Sequence, residues 1–207
     1  YKMFLSKIAR HYDHVFVVTG NHEYYQADSD NSHLTMDEVN KFVALTAHSI
    51  PNVHFLNRDS FIINKVRFLG CTLWTKSDPK LAKYMNDYNR IPWMTPALCQ
   101  QLHDNDVAWL CSELDKDEIT EEYNKTVVIT HHLPSYKIIA DKYRGDPMNS
   151  FFATNLDDLV KKADIWCCGH SHTAKRIEIG KCECYLNPVG YSQEFTGFNA
   201  FIEIPIN

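Results

Sequence analysis

The sequence predicts a mixed α/β fold (α+β in its segregated form), in which two β-sheets pack together and helices flank them. Short runs of apolar and β-branched residues have the composition of buried strands. Longer stretches with apolar residues at helical spacing alternate with these runs. The last third of the chain shows alternating segments separated by turn residues, which is typical of hairpins. This order of helix-linked strands and late hairpins predicts one domain over residues 1–207.

Length and composition restrict the class of protein. A chain of 207 residues is long enough for one sizeable core, and no apolar run approaches the roughly 20 residues that span a bilayer. No signal region is visible, and the formal charge of −5 argues against a broad nucleic-acid surface. The seven cysteines show no C-x-x-C spacing. We therefore expect reduced thiols in a cytoplasmic protein, with no membrane or nucleic-acid partner.

The N-terminal half contains two predicted helices and four strands. Residues 1–12 have helical spacing and lead directly into the strand at Val15, which suggests that the chain begins within the fold. A helix is predicted over residues 36–49, because Thr35 can cap it and Glu38 stands at the capping-box position. Strands are predicted at 53–56, 61–64 and 66–74, with Asn64-Lys65 as a tight hairpin turn.

The C-terminal half is predicted in the same way. A helix over residues 96–114 has an apolar stripe that includes His103, which we interpret as a core histidine. A short helix follows at 155–163. Alternation predicts three late strands, at 174–179, 182–186 and 198–204. The segments 26–35 and 115–124 are predicted to be loops.

Three predicted strands each end in a short polar turn that contains histidine. The turns are Gly20-Asn21-His22-Glu23, His131-His132 and Gly169-His170-Ser171-His172. Residues i and i+2 of an extended segment point to the same side, so His170 and His172 should project together. In open α/β sheets, ligands bind beyond the carboxyl ends of the strands. We therefore predict that three strands of one sheet bring these turns to a shared metal-binding edge.

These three turns, taken together, resemble the later motifs of the calcineurin-like metallophosphoesterase superfamily. Further segments resemble a bacterial-type subgroup of small enzymes in that superfamily, namely residues 85–91, 130–135, 143–149 and 187–190. The resemblance extends over nearly the whole chain. It implies a four-layer α/β/β/α sandwich and hydrolysis of a phosphoester substrate. The substrate type stays open between a monoester, a diester and a nucleotide.

The resemblance also implies a set of site residues. Asn21, His131 and His170 would bind one divalent ion, and His172 would contribute to a second, with Mn, Fe or Zn as the metal. A metal-activated hydroxide would attack phosphorus, and His22 would protonate the departing alkoxide as general acid. His132 is expected to pack or to hydrogen-bond behind the ligands.

Three further residues are candidates for substrate binding. They are Asp87, Arg90 and Arg144. A loop-anchoring salt bridge fits Asp87 and Arg90 equally well, and a solvated loop arginine explains Arg144 more simply. Tyr191 is a candidate for the wall of the pocket.

One departure from the superfamily pattern limits these expectations. An early Asp-x-His and an early Gly-Asp normally supply the bridging carboxylate and further ligands, but this sequence contains no Asp-x-His. Its one Gly-Asp, Gly145-Asp146, lies between the second and third turns. We therefore expect an N-terminally truncated domain that holds at most one ion well. The alternative is a non-catalytic binding or scaffold module on the same fold. A different zinc hydrolase is disfavoured, because Thr173 and Ala174 follow His172 where an aspartate would be needed.

Overall fold

A computed structural model describes residues 1–26, 33–116 and 122–206. The predicted loops at 26–35 and 115–124 fall largely outside these ranges. The described α-helices are α1 (Lys2–Ile8), α2 (Met36–His48), α3 (Asp87–Arg90), α4 (Pro96–Leu114) and α5 (Asp157–Val160). The described strands are β1 (Val15–Val17), β2 (Val53–Phe55), β3 (Asp59–Ile63), β4 (Val66–Cys71), β5 (Lys125–Thr130), β6 (Ile165–Cys168), β7 (Lys175–Ile179) and β8 (Cys182–Leu186). Within these ranges, no helix is both long enough and apolar enough to cross a membrane.

The strands form two sheets. Strand β1 pairs in parallel with β2, and the other six strands have the order β3-β4-β5-β6-β8-β7. Strands β4, β5, β6 and β8 run parallel, while β3 and β7 are antiparallel edge strands. The expectation that all three histidine-bearing turns follow strands of one sheet was wrong. Strand β1 belongs to the smaller sheet, because its hydrogen-bonding partner is β2 rather than β5 or β6.

The four-layer arrangement follows from which side chains pack together. Helices α1 and α2 cover one face of the small sheet, in a cluster built on Leu5, Ala47 and Val53. From the opposite face of β1, Phe16 stacks on Phe68 of β4, with ring centroids 4.2 Å apart. The far face of the large sheet packs against α4 and α5. The mixed α/β prediction is therefore confirmed, with helices outside and two sheets inside.

Local signals located most of the elements. Helix α2 begins at Met36, and both bonds of the Thr35–Glu38 capping box are present. Asn64 and Lys65 have φ values of 51° and 62°, the left-handed conformation that a two-residue hairpin requires. The predicted strand at 198–204 was wrong, because this segment pairs with no strand in the described chain. The helices predicted at 1–12 and 155–163 are shorter, ending at Ile8 and covering Asp157–Val160 respectively.

A buried carboxylate fixes the segment that follows β4. The side chain of Asp106, on α4, is 2% exposed and contacts the Arg58 guanidinium at 2.8 Å. Its second oxygen accepts a hydrogen bond from the backbone N–H of Trp74 at 3.2 Å. Burial raises the pKa of the Asp106 carboxyl, and the Arg58 guanidinium opposes that shift. One side chain thus connects α4 with the segments after β2 and β4.

Asp106→Ala is expected to lower the free energy of unfolding by about 2 kcal/mol, because it leaves the buried N–H of Trp74 without its acceptor and the partly exposed Arg58 guanidinium without its ion partner. Urea unfolding followed by circular dichroism measures the loss. Asp104→Ala on the same helix is the matched control. Asp104 is exposed and bonds Gln100, so a change of at most about 0.5 kcal/mol is expected. Equal losses in both variants would contradict the role of the Asp106 carboxylate.

Candidate metal centre

Three turns meet at the imidazole of His131, which follows β5. Its Nε2 atom lies 2.9 Å from Oδ1 of Asn21 and 2.9 Å from Nδ1 of His170. Asn21 follows β1 in the small sheet, and His170 follows β6 in the large one. Three potential ligand atoms from separate turns therefore share one space, although they come from two sheets.

Two backbone features allow this close approach. A Cβ atom on Gly20 would lie 2.4 Å from Cε1 of His131, so glycine leaves the space that the imidazole occupies. His170 has a φ of 65°, in the left-handed region that non-glycine residues rarely adopt. The N–H of Gly169 donates to the carbonyl of His131 at 2.9 Å and holds the second and third turns together. Residues with a strained backbone, such as His170 here, concentrate at functional sites.

A buried carboxylate orients the Asn21 amide. Oδ1 of Asp87 accepts hydrogen bonds from Nδ2 of Asn21 at 2.8 Å and from the Tyr25 hydroxyl at 2.5 Å. Asp87 is 5% exposed and Asn21 is 3% exposed. Because the amide nitrogen is held by a carboxylate, the amide oxygen faces His131. The amide therefore presents an oxygen, the atom that coordinates a cation.

The protein environment keeps the clustered imidazoles neutral. Burial lowers the pKa of His131 well below its ordinary value, and the neighbouring His170 and His132 rings add to this effect. Burial is also the main cause of the strongly lowered pKa of His170. Burial lowers the pKa of His132 to about 4. Neutral imidazole is the form that binds metal, so near pH 7 these side chains are in the state that ligation requires.

The donor set fits one divalent cation. Two neutral imidazoles and one amide oxygen suit Mn, Fe or Zn. Nε2 of His170 is buried and has no hydrogen-bond partner within the described part of the chain. Unpaired buried polar atoms are uncommon in native proteins and call for an explanation such as an ion.

His132 belongs to the same histidine cluster. Across the described ranges, one potential metal-binding group of His, Cys, Asp or Glu side chains is found, formed by His131, His132 and His170. However, His132 is 1% exposed, its Nδ1 is 3.3 Å from the carbonyl of Thr72, and its ring packs on Trp74. These contacts agree with the expected packing or supporting role. His103 is likewise buried, with Nδ1 2.5 Å from the carbonyl of Trp74.

His172 lies at the rim of this group. Its Nδ1 is 2.7 Å from Oε2 of Glu194, and its ring packs edge-on against Tyr191 with centroids 5.0 Å apart. Glu194 had no signal in the sequence, because it lies 22 positions away in a segment with no motif. The four predicted ligands are Asn21, His131, His170 and His172. Their roles as metal ligands stay predictions.

His22 is exposed and lies next to Asn21. Its ring stacks on Tyr25 with centroids 4.4 Å apart, and its Nε2 is 3.4 Å from the hydroxyl of Tyr191. This position leaves the ring open to solvent beside the candidate centre.

The three candidate substrate-binding residues lie in different surroundings. Asp87 is buried against Asn21 and Tyr25, as described above. Arg90 is exposed, with its guanidinium 6.0 Å from the Tyr25 ring centroid. Arg144 is exposed, pairs with Asp141 at 2.9 Å and lines a surface cavity of about 340 Å³. Contact with a substrate stays a prediction for all three.

In the neighbouring Gly145-Asp146 pair, the carboxylate caps a short helix through the N–H of Met148.

The sandwich with its imidazole-rich strand ends has the metallophosphoesterase fold. The chain belongs to the calcineurin-like phosphoesterase family, whose model matches residues 1–174.

A protein of Acanthamoeba polyphaga mimivirus, described as uncharacterized, is 27% identical over 221 residues, which cover 100% of this chain and 78% of that protein. A solved structure of phosphopantetheinyl hydrolase from Mycobacterium tuberculosis superposes with a TM-score of 0.69 at 15% identity. That match covers 94% of this chain and 78% of the other, and at this identity the likeness shows the fold alone.

Proposed function

We propose that this protein hydrolyses phosphoesters with divalent metal ions held at the three histidine-bearing turns. Family membership supports phosphoester hydrolysis in general. The observation that most supports the finer proposal is the convergence of Asn21 Oδ1, His131 Nε2 and His170 Nδ1, with the central nitrogen 2.9 Å from each of the others. The partner in this proposal is a phosphoester substrate. The seven free cysteines favour a reducing, cytoplasmic location.

Each ligand has a defined part in the proposal. Asn21, His131 and His170 hold one well-bound ion of Mn, Fe or Zn, and His172 contributes to a second. Bound ions of this kind neutralise charge on the phosphoryl oxygens and lower the pKa of a water ligand. Asp87 keeps the amide oxygen of Asn21 directed at the site. The neutral imidazoles bind without first losing a proton.

His22 is the general acid in this proposal. Its ring is exposed, adjoins the ligand Asn21 and rests on Tyr25, so it can take a proton from solvent and transfer it towards the site. An alkoxide is a poor leaving group, and protonation of its oxygen as the P–O bond breaks lowers the barrier. A nitrophenolate leaves without that proton. The effect of His22 should therefore depend on the leaving group.

His22→Ala is expected to slow the Mn²⁺-dependent hydrolysis of an alkyl phosphate by about 10² to 10⁴-fold. The same variant should change p-nitrophenyl phosphate hydrolysis by less than about tenfold, since that leaving group needs little assistance. Steady-state rates on the two substrates measure the difference. Isothermal titration with Mn²⁺ should give nearly unchanged affinity.

His48→Ala is the matched control, because His48 is an exposed histidine at the end of α2. It should alter neither rate. Loss of Mn²⁺ binding in His22→Ala would instead show that His22 is a metal ligand and not the general acid. Equal slowing on both substrates would exclude proton donation to the leaving group.

A scaffold function is the alternative, and one observation favours it. The metal-binding group found among the described residues consists of histidines and includes no carboxylate that could bridge two ions. Metal-dependent turnover of mono- or diester probes by the 207-residue chain would exclude the scaffold. Mn²⁺ binding without turnover would favour the scaffold if turnover is also absent when an upstream segment with an Asp-x-His and a Gly-Asp is joined to the chain.

A further inference from the structure

Residues 187–199 form a closed loop, here called the C-terminal loop, which follows β8. The side chain of Asn187 makes two reciprocal hydrogen bonds with the backbone of Asn199, both at 2.9 Å. Thr196 is 5% exposed, and its carbonyl accepts from the N–H of Ala174 at 2.7 Å. Gly190 has a φ of 70°, which permits a sharp turn. The loop is thus held at its base and along its length, and its shape is defined.

The loop places a carboxylate against His172. Oε2 of Glu194 lies 2.7 Å from Nδ1 of His172 and also accepts the N–H of Tyr191 at 2.7 Å. A glutamate carboxyl is ionised near pH 7, so this group can only accept hydrogen bonds. Nδ1 must therefore carry the hydrogen. In a neutral ring, the lone pair is then on Nε2.

The same loop reaches His22. The Tyr191 ring packs edge-on against His172, and its hydroxyl is 3.4 Å from Nε2 of His22. His172 and His22 lie on turns from different sheets. The C-terminal loop therefore contacts the predicted second-ion ligand and the predicted general acid at once.

We propose that Glu194 is a positioning residue that fixes the tautomer and ring orientation of His172, so that Nε2 is presented to a metal ion. A carboxylate behind a ligating histidine is a recurrent way to orient the ring and raise its basicity. The loop lies beyond residues 1–174, the part of the chain that the family model matches. The proposal rests on the proposed function only in treating His172 as a ligand.

The first test reads the tautomer directly. Nitrogen-15 spectra of histidine-labelled, metal-free protein at about pH 8.5 should show hydrogen on Nδ1 of His172. Glu194→Ala should move it to Nε2, the tautomer that an unconstrained ring prefers in water. Glu194→Gln should retain Nδ1–H at least in part, because its amide oxygen still accepts. Gln193→Ala, a neighbouring exposed residue, should leave the spectrum unchanged.

The second test uses Zn²⁺ as a diamagnetic probe, which shifts the signal of the nitrogen that it binds. In the unaltered chain, saturating Zn²⁺ should shift the ligating nitrogens of His131, His170 and His172. In Glu194→Ala, half-saturation of the His172 shift should need about ten- to a hundredfold more Zn²⁺, the usual effect of removing such a partner. The response of His131 should not change.

The outcomes separate the two proposals. Retention of Nδ1–H in Glu194→Ala, or an unchanged His172 response to Zn²⁺, would overturn the role of Glu194. Absence of a Zn²⁺-induced shift at all three histidines in the unaltered chain would instead overturn the metal site, whatever the tautomer shows. Asn187→Ala is a second variant, which opens the base of the loop and keeps the carboxylate. Partial loss of the Nδ1–H tautomer is expected, and an unchanged spectrum would argue against positioning by the loop.

Discussion

His131→Ala is expected to weaken Mn²⁺ binding at least about 100-fold, or roughly 2.7 kcal/mol. The Nε2 atom of His131 lies 2.9 Å from each of the other two candidate ligand atoms, which belong to Asn21 and His170. Removing it leaves Asn21 and His170 without the donor between them. Replacement of partners that only orient a ligand already costs ten- to a hundredfold in metal affinity. The loss of a ligand should therefore be at least as large. Isothermal titration of the metal-free protein measures it.

His132→Asn is the informative comparison for this prediction. Both histidines occupy the same turn, and both belong to the compact imidazole group. His132, however, contacts the carbonyl of Thr72 and packs on Trp74. Asparagine can still donate to Thr72 but loses the packing, so the variant should lower stability and leave Mn²⁺ affinity within about threefold. Equal losses of affinity in the two variants would make His132 a ligand and refute the assignment.

Signals that are local in sequence predicted the structure best. The Thr35–Glu38 capping box spans four residues, and the hairpin turn at Asn64-Lys65 spans two, so each is determined by neighbouring atoms. The three turns at strand ends were predicted for a related reason, since each follows its own apolar run. The turns converge because the ends of the three strands that precede them lie close together.

Pairing between distant segments could not be predicted from these signals. The run at Val15 has the composition of a buried strand, but composition does not tell whether its partner is β2 or β5. The segment 198–204 alternates like a strand, yet its start is bonded to Asn187 instead of to a sheet. Hydrogen bonding to a partner, rather than alternation, decides whether a segment is a strand.

The supporting roles of two carboxylates were not predicted, for the same reason. Asp87 lies 66 positions from Asn21, and Glu194 lies 22 positions from His172. Neither carboxylate has a motif that marks it as a partner. Asp87 was selected from a family-like segment, either to position substrate or to anchor a loop, and contact with substrate stays a prediction. Its bonds to Asn21 and Tyr25 add a role that the sequence did not indicate, the orientation of a side chain.

Gly20→Ala is expected to lower the free energy of unfolding by about 1–3 kcal/mol, because the new methyl group overpacks a filled space. The added Cβ would lie 2.4 Å from Cε1 and 2.5 Å from Nδ1 of His131. The ring cannot move as a unit with its backbone, since the His131 carbonyl is bonded to Gly169 and its N–H to Thr72. It must rotate, and rotation withdraws Nε2 from Asn21 and His170. Mn²⁺ affinity should therefore fall together with stability.

Gly169→Ala is the matched control, because Gly169 also adjoins His131. Its Cβ would lie 3.6 Å from the His131 carbonyl oxygen and 3.7 Å from Nδ1, which is ordinary contact. A change in the free energy of unfolding of at most about 0.5 kcal/mol is expected, since alanine also reduces the entropy of the unfolded chain. Urea unfolding of the metal-free proteins measures both variants.

The double variant Gly20→Ala/His131→Ala shows whether contact with the His131 ring causes the loss of stability in Gly20→Ala. With the imidazole removed, the methyl group has space, so Gly20→Ala should cost little in the His131→Ala background. The two substitutions should then be non-additive by about 1–3 kcal/mol, the coupling expected of residues in direct contact. If Gly20→Ala were equally costly in both backgrounds, its effect would come from the turn itself. The packing of Gly20 against His131 would then not be what holds the histidine-bearing turns together.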